Sequence, residues 1–239
     1  MVNNWTIIDQ IFGATCPLCA APGAAICPAC QASLPLNSHA CRQCALPLPV
    51  DAPQAMLCAD CLRSPPRFDA VTAPLIYAHP IDDLIARLKY RRQLFVGRLL
   101  ADVLAGFVTA NDNLPELLVP VPAGAKRLRS RGFNQATEIA RHLGSRCGIP
   151  IAPNLLRRND SAHTQRGLGR RARRKNVHGV FECRRRPPAH VALVDDVMTT
   201  GATADEVSRV LRRAGAARIE VWVVARTPGP GEHTEDQGR

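Results

Sequence analysis

The sequence predicts an α/β domain built on a mostly parallel sheet with helices on both faces, preceded by a small cysteine-rich module that binds metal. Three observations carry this. From residue 71 to residue 225, apolar strand-like runs alternate with segments of helical period. Eight of the ten cysteines fall between residues 16 and 61, every one of them in a Cys-x-x-Cys pair. Between the two patterns stands Arg63-Ser64-Pro65-Pro66, a run that breaks regular structure. The expected division is residues 1–66 for the metal module, 67–228 for the α/β domain and 229–239 for a disordered tail.

The cysteine pairs are Cys16/Cys19, Cys27/Cys30, Cys41/Cys44 and Cys58/Cys61. Each turn brings two sulfurs to one tetrahedral ion, so two turns complete a closed Cys₄ site and four complete two. Structural zinc fits this regular pairing better than a redox motif, which needs a single pair, or an iron–sulfur run, whose spacing is tighter and less regular. Nearest neighbours in sequence group Cys16, Cys19, Cys27 and Cys30 around one ion and Cys41, Cys44, Cys58 and Cys61 around the other. A cross-braced arrangement joining the first pair to the third stands as the alternative. Either way the ions supply folding energy that so short a segment lacks.

Beyond the linker, residues 71–77 (VTAPLIY) read as a strand. Ile81, Leu84, Ile85 and Leu88 then recur at helical spacing, and a second helix covers about 94–108. LLVPVP at 117–122 is a short apolar strand ending in prolines. Residues 131–146 are helical, the 150s hold a short strand and 190–197 a strong one. A helix at 202–214 and a strand at 217–225 complete the alternation. With aromatics at only 4% against 46% hydrophobic residues, the core is one of Ala, Leu and Val.

Residues 1–12 lack the basic region and small-residue cleavage site of a secretory signal. The charge-free stretch from Gln10 to Cys41 is too rich in Cys, Pro and Gly to be a membrane helix, so no integral membrane protein is expected. Thiols dedicated to metal point to a reducing, cytoplasmic location. Cys147 and Cys183, outside the pairs, read as ordinary thiols. The net charge is +11, and residues 157–186 alone hold eleven Arg or Lys against Asp160 and Glu182. Such a block attracts phosphates or a nucleic-acid backbone. It is also what an arginine-biased composition produces in a solvated loop, the chain having 28 Arg and three Lys.

The chemistry concentrates in HVALVDDVMTTGAT, residues 190–203. A buried parallel strand ends in two carboxylates, Asp195 and Asp196, followed by Thr199, Thr200, Gly201, Ala202 and Thr203 leading into a helix. Ligands of open α/β sheets bind at the carboxyl ends of strands. A hydroxyl- and glycine-bearing turn at a helix N-terminus cradles phosphate, while the acids before it suit sugar hydroxyls or magnesium. A strand end with an acidic cap accounts for one Asp and the Gly, and leaves the rest of the string unexplained.

VALVDDVMTTGAT resembles the phosphoribosyl pyrophosphate (PRPP) signature of type I phosphoribosyltransferases. The resemblance implies that Asp195 and Asp196 face the ribose hydroxyls, with magnesium bridging to the pyrophosphate, and that residues 199–203 wrap the 5′-phosphate. Across nearly the whole chain the sequence is similar to the ComF family, also called the competence-protein or GntX family. VPVP at 119–122 with Arg127, Arg131, Gly132, Phe133, Asn134, Gln135 and Ala136 looks like that family's pyrophosphate-side loop. Gln165, Leu168, Arg173, Asn176, Val177 and Phe181 match its mobile basic loop in spacing, and the cysteine pairs match its zinc module. The resemblance implies a type I phosphoribosyltransferase-like fold, PRPP with magnesium as ligand, and a role with incoming single-stranded DNA and DNA-uptake proteins. One departure bears on catalysis: Thr199 stands where purine-salvage transferases carry an acid that serves as base toward the purine. His163 and His178 are candidates for such a base by residue type alone.

Overall fold

A computed structural model describes residues 15–23, 26–53, 55–109, 113–159 and 179–229. In chain order its elements are α1 (Pro28–Ala32), α2 (Ala59–Arg63), β1 (Ala70–Thr72), β2 (Leu75–Ile76), α3 (Ile81–Arg91), α4 (Leu94–Val108) and β3 (Leu117–Pro120). There follow α5 (Ala125–Arg131), α6 (Gln135–Cys147), β4 (Leu156–Arg158), β5 (Phe181–Cys183), β6 (His190–Met198), α7 (Ala202–Arg213) and β7 (Arg218–Arg226). The two five-residue helices each begin directly after the first cysteine of a pair, Cys27 and Cys58. The second cysteine therefore falls three residues on, along the same side of the turn.

One parallel sheet carries the domain, in the order β1-β7-β6-β3, with β2 also on β7. Its two nine-residue strands, β6 and β7, lie in register with Val194 opposite Trp222. Both are buried on both faces, which is why they read as continuous apolar runs rather than alternating ones. The period of two sorts their side chains. Ala192, Val194, Trp222 and Val224 pack with Leu88 of α3, Leu104 of α4 and Leu143 of α6. Val191, Leu193, Val221 and Val223 pack with Val207 and Leu211 of α7. The expected α/β architecture with helices on both faces is what the chain adopts.

Three elements differ from expectation. The strand at 71–77 is two short pieces, because Pro74 cannot donate to the ladder and the pairing with β7 lapses at Ala73-Pro74. The helix read over 131–146 begins only at Gln135. Gly132 takes φ +81°, closing α5, and Asn134 caps α6 by accepting from the Ala136 N–H at 3.2 Å. The short strand in the 150s is β4, which pairs antiparallel with β5 in a separate ribbon. The main sheet meets that region through a single bridge, Leu118 to Ile151. Here α6 approaches its own exit closely: a Cβ on Gly144 would lie 2.7 Å from the Ile149 carbonyl oxygen.

The cysteine-rich segment packs into the domain. Leu36 forms an antiparallel bridge with Leu75, flanked by Ile76 N–H to Pro35 O and Asn37 N–H to Pro74 O, both at 2.8 Å. Asn37 Nδ2 donates to the carbonyls of Ala45 (2.9 Å) and Ala73 (3.1 Å). Cys41, Cys44, Cys58 and Cys61 are buried in the same cluster as the α7 face of the sheet. Among the described residues, no helix is long and apolar enough to cross a membrane.

Candidate functional site

The carboxyl end of β6 opens into a cavity of about 60 Å³ lined by Val121, Asp195, Val197, Met198, residues 199–204, Val221 and Val223. All five residues read as a phosphate turn contribute. Gly201 takes φ +73°, a conformation that suits glycine, and a Cβ there would come within 2.6 Å of Met198 Cε. Ala202 opens α7, its N–H 3.3 Å from Thr200 Oγ1, so the turn delivers the positive end of a twelve-residue helix to the cavity.

The two acids separate. Asp195 lines the cavity and accepts from the Asp196 N–H at 2.9 Å. Asp196 is 4% exposed and pairs with Lys89 of α3, on the opposite side of the sheet. Withdrawal from water, and then the neighbouring Asp196 carboxylate, push the Asp195 carboxyl well above the usual range; Lys89 acts the other way. The Asp195 carboxylate faces the cavity, and oxygen donors of this kind suit a hard divalent ion such as magnesium. Lys89 escaped the sequence reading. It follows Ile81 and Ile85 at four-residue spacing on the buried stripe of α3, which is the signal that would have found it.

Of residues 119–136, read from the sequence as the pyrophosphate side, Val121 alone lines the cavity. Asn134 ties this edge together: its Nδ2 donates to the Val121 carbonyl at 2.9 Å while its Oδ1 caps α6. Gln135 is buried, with Oε1 unpartnered among the described residues. Arg127 is exposed on α5, and the Arg131 guanidinium lies over the exposed Tyr90 ring, 5.2 Å from its centroid. Gln165, Arg173 and Asn176, with His163 and His178, lie outside the described residues.

The cysteines settle into two groups, Cys16, Cys19, Cys27 and Cys30, and Cys41, Cys44, Cys58 and Cys61. Nearest neighbours in sequence pair, and the cross-braced alternative is not adopted. Within each group all sulfurs lie within 4.8 Å of one another, and Cys44 Sγ is 3.6 Å from Cys58 Sγ. That is too far for a disulfide and close to the edge of a tetrahedron with zinc–sulfur bonds of about 2.3 Å. Burial works to raise the Cys41 thiol, but N–H donors from Cys58 and its own turn outweigh it and bring it down to about 7. Both groups are closed Cys₄ zinc sites with a structural role. A second residue the sequence did not single out, Arg226, reaches from the end of β7 to the carbonyls of Cys44, Met198 and Thr199.

A parallel sheet with paired acids and a Thr-Gly turn at the end of its central strand, joined to a double Cys₄ ribbon, defines a phosphoribosyltransferase-like protein with a zinc module. Residues 7–62 match the family described as "Double zinc ribbon domain". Competence protein F of Haemophilus influenzae is 34% identical over 84% of this chain and 90% of its own length. The DNA utilization protein YhgH of Escherichia coli K12 is 32% identical over 89% of this chain and 96% of its own. Among solved structures, the glutamine PRPP amidotransferase of B. subtilis is 19% identical with a TM-score of 0.38, over 54% of this chain and 26% of that one. The chain belongs to the ComF family of competence proteins.

Proposed function

We propose that the chain binds PRPP with magnesium at the carboxyl end of β6 and acts in the handling of incoming single-stranded DNA in the cytoplasm. The observation that carries the ligand reading is the cavity formed by Asp195 and residues 199–203 at the start of α7. The helix N-terminus suits the 5′-phosphate, and Asp195 with Asp196 suits the ribose hydroxyls and the ion. Arg127 and Arg131 would meet the pyrophosphate, and the resemblance adds Gln165, Arg173 and Asn176 to the ligand's contacts. When bound, magnesium would neutralise the pyrophosphate and polarise its bond to the ribose. Thr199 supplies no base toward a purine, which favours ligand binding or transfer to an acceptor that needs no such base.

The DNA reading rests on the names of the family's members and on one surface. Tyr90, stacked by Arg131, stands 73% exposed beside Arg91 and Arg92, and the Ser130 carbonyl accepts from Arg92 at 3.3 Å. Lys126, Arg127 and Arg129 are exposed on the same neighbouring helix. Basic side chains around an exposed aromatic suit a single strand, whose phosphates need cations and whose bases need a stacking face.

Calorimetric titration of PRPP with magnesium tests the ligand reading, comparing wild type with Asp195→Asn/Asp196→Asn. Binding by wild type that the double variant loses supports it; a zinc-loaded wild type that binds nothing refutes it. Release of pyrophosphate with a base or amine acceptor would establish transfer. Anisotropy of a labelled single-stranded oligonucleotide tests the DNA reading. Unchanged affinity in Tyr90→Ala/Arg92→Ala would remove this surface from it.

A further inference from the structure

The end of β7 holds a guanidinium shut away from water. Arg226 is 4% exposed, and among the described residues no Asp or Glu pairs with it. Its hydrogen bonds run instead to backbone on two sides. Nε donates to the Cys44 carbonyl at 3.0 Å. Nη1 donates to the carbonyls of Met198 (3.1 Å), Thr199 and Thr227 (2.9 Å). The Thr227 N–H adds a bond to the Met198 carbonyl at 3.1 Å. Arg226 thus lies between a zinc ligand and the first residues of the phosphate turn.

Two physical consequences follow. A peptide plane is rigid and its C=O and N–H point in opposite directions, so anchoring the carbonyls of Met198 and Thr199 also fixes the N–H groups of Thr199 and Thr200. Those N–H groups point away from Arg226, and both residues line the cavity. A buried cation also needs compensating charge. Four thiolates around one divalent ion leave the site of Cys41, Cys44, Cys58 and Cys61 net negative, and Arg226 is the cation against it.

We propose that Arg226 is a positioning residue through which the zinc site of Cys41, Cys44, Cys58 and Cys61 sets the shape of the phosphate turn, so that zinc at this site governs ligand affinity. This rests on the reading of residues 199–203 as the phosphate turn. Arg226 touches no ligand; it acts through the two carbonyls it holds. A lysine in its place keeps the charge but, as a point donor without the guanidinium fork, cannot span Cys44 and Thr199 together.

The test measures amide hydrogen exchange of the segment 198–203 without ligand, and calorimetric affinity for PRPP with magnesium. The proteins are wild type, Arg226→Lys, Arg226→Gln, Cys44→Ser and Cys19→Ser. In Arg226→Lys and Cys44→Ser, exchange in the turn should quicken and affinity should fall by about ten-fold or more, equivalent to about 1.4 kcal/mol. Cys19→Ser, which opens the other zinc site, should leave both readouts near wild type. A merely structural Arg226 would lower the melting temperature and leave the affinity of the folded molecules unchanged. Wild-type exchange and affinity in Arg226→Lys would overturn the proposal. If the Arg226 variants do not fold, equal turn exchange in Cys44→Ser and Cys19→Ser overturns it instead. Absence of PRPP binding by wild type would sink the ligand reading alone, because the exchange comparison needs no ligand.

Discussion

Lys89 offers the sharpest test of how the two acids are managed. Its ammonium pairs with Asp196, whose side chain is 6% exposed while that of Lys89 is 18% exposed. Truncating one partner of a buried pair costs about 3–5 kcal/mol, because the other charge is left without compensation. Lys89 keeps some contact with water, so Lys89→Met should fall at the low end, about 3 kcal/mol. For a chain of this length that is a drop of about 6–12 °C in melting temperature. The variant also vacates the position a divalent ion would compete for. Magnesium at ten times its dissociation constant returns about 1.4 kcal/mol, and in wild type the ion must first displace the ammonium. Differential scanning calorimetry of both proteins, with and without magnesium, reads the two effects together. The expected result is a destabilised variant with the larger magnesium response. A melting temperature within about 1 °C of wild type, or a destabilised variant no more responsive to magnesium, would refute the reasoning.

Three further outcomes are expected. Asp195 has its carboxyl raised in the folded state, so the fold holds that proton more tightly than the unfolded chain; stability is lost as pH rises from about 3.9 toward the raised value and stays lost above it. Asp195→Asn should therefore gain on the order of 1 kcal/mol at pH 7 without divalent ions, the gain vanishing below about pH 4, as read by urea unfolding across pH. Gly201→Ala should cost about 1–2 kcal/mol and weaken PRPP binding, since φ +73° and the Met198 contact both oppose a Cβ. Gly106→Ala, with open space around its Cβ in α4, should leave binding unchanged. Wild type should carry two zinc ions per chain by elemental analysis. Cys61→Ser, at a ligand buried in the core, should destabilise more than Cys30→Ser, whose site stands outside that cluster.

Much of the fold was legible because its signals are local. The second helix spans the same residues as the apolar period that announced it, and β6 and β7 are buried on both faces, so each reads as one apolar run. The turn at 199–203 stood out for the same reason: acids, hydroxyls and glycine sit within nine residues. What escaped depends on distance in sequence. Lys89 meets Asp196 across 107 positions, and Arg226 meets Cys44 across 182. The stripe of α3 marks Lys89 as facing inward, but neither contact leaves a local pattern that names the partner. The split of the helix at Gly132 was visible in principle, since Gly132 followed by Asn134 is a stop signal with a cap behind it. The helical period on both sides concealed it. The side ribbon of β4 and β5 was beyond reach because a three-residue strand does not record its partner.

The segment Pro35–Asn37 lies between the ligands of the two zinc sites and covers β2, the strand at one margin of the sheet. An uncovered strand margin is a template for pairing with other chains. Metal loading therefore decides more than whether the ribbon is folded. A chain synthesised faster than zinc reaches it would present that margin to its neighbours, so zinc supply becomes a condition of keeping the protein dispersed at all.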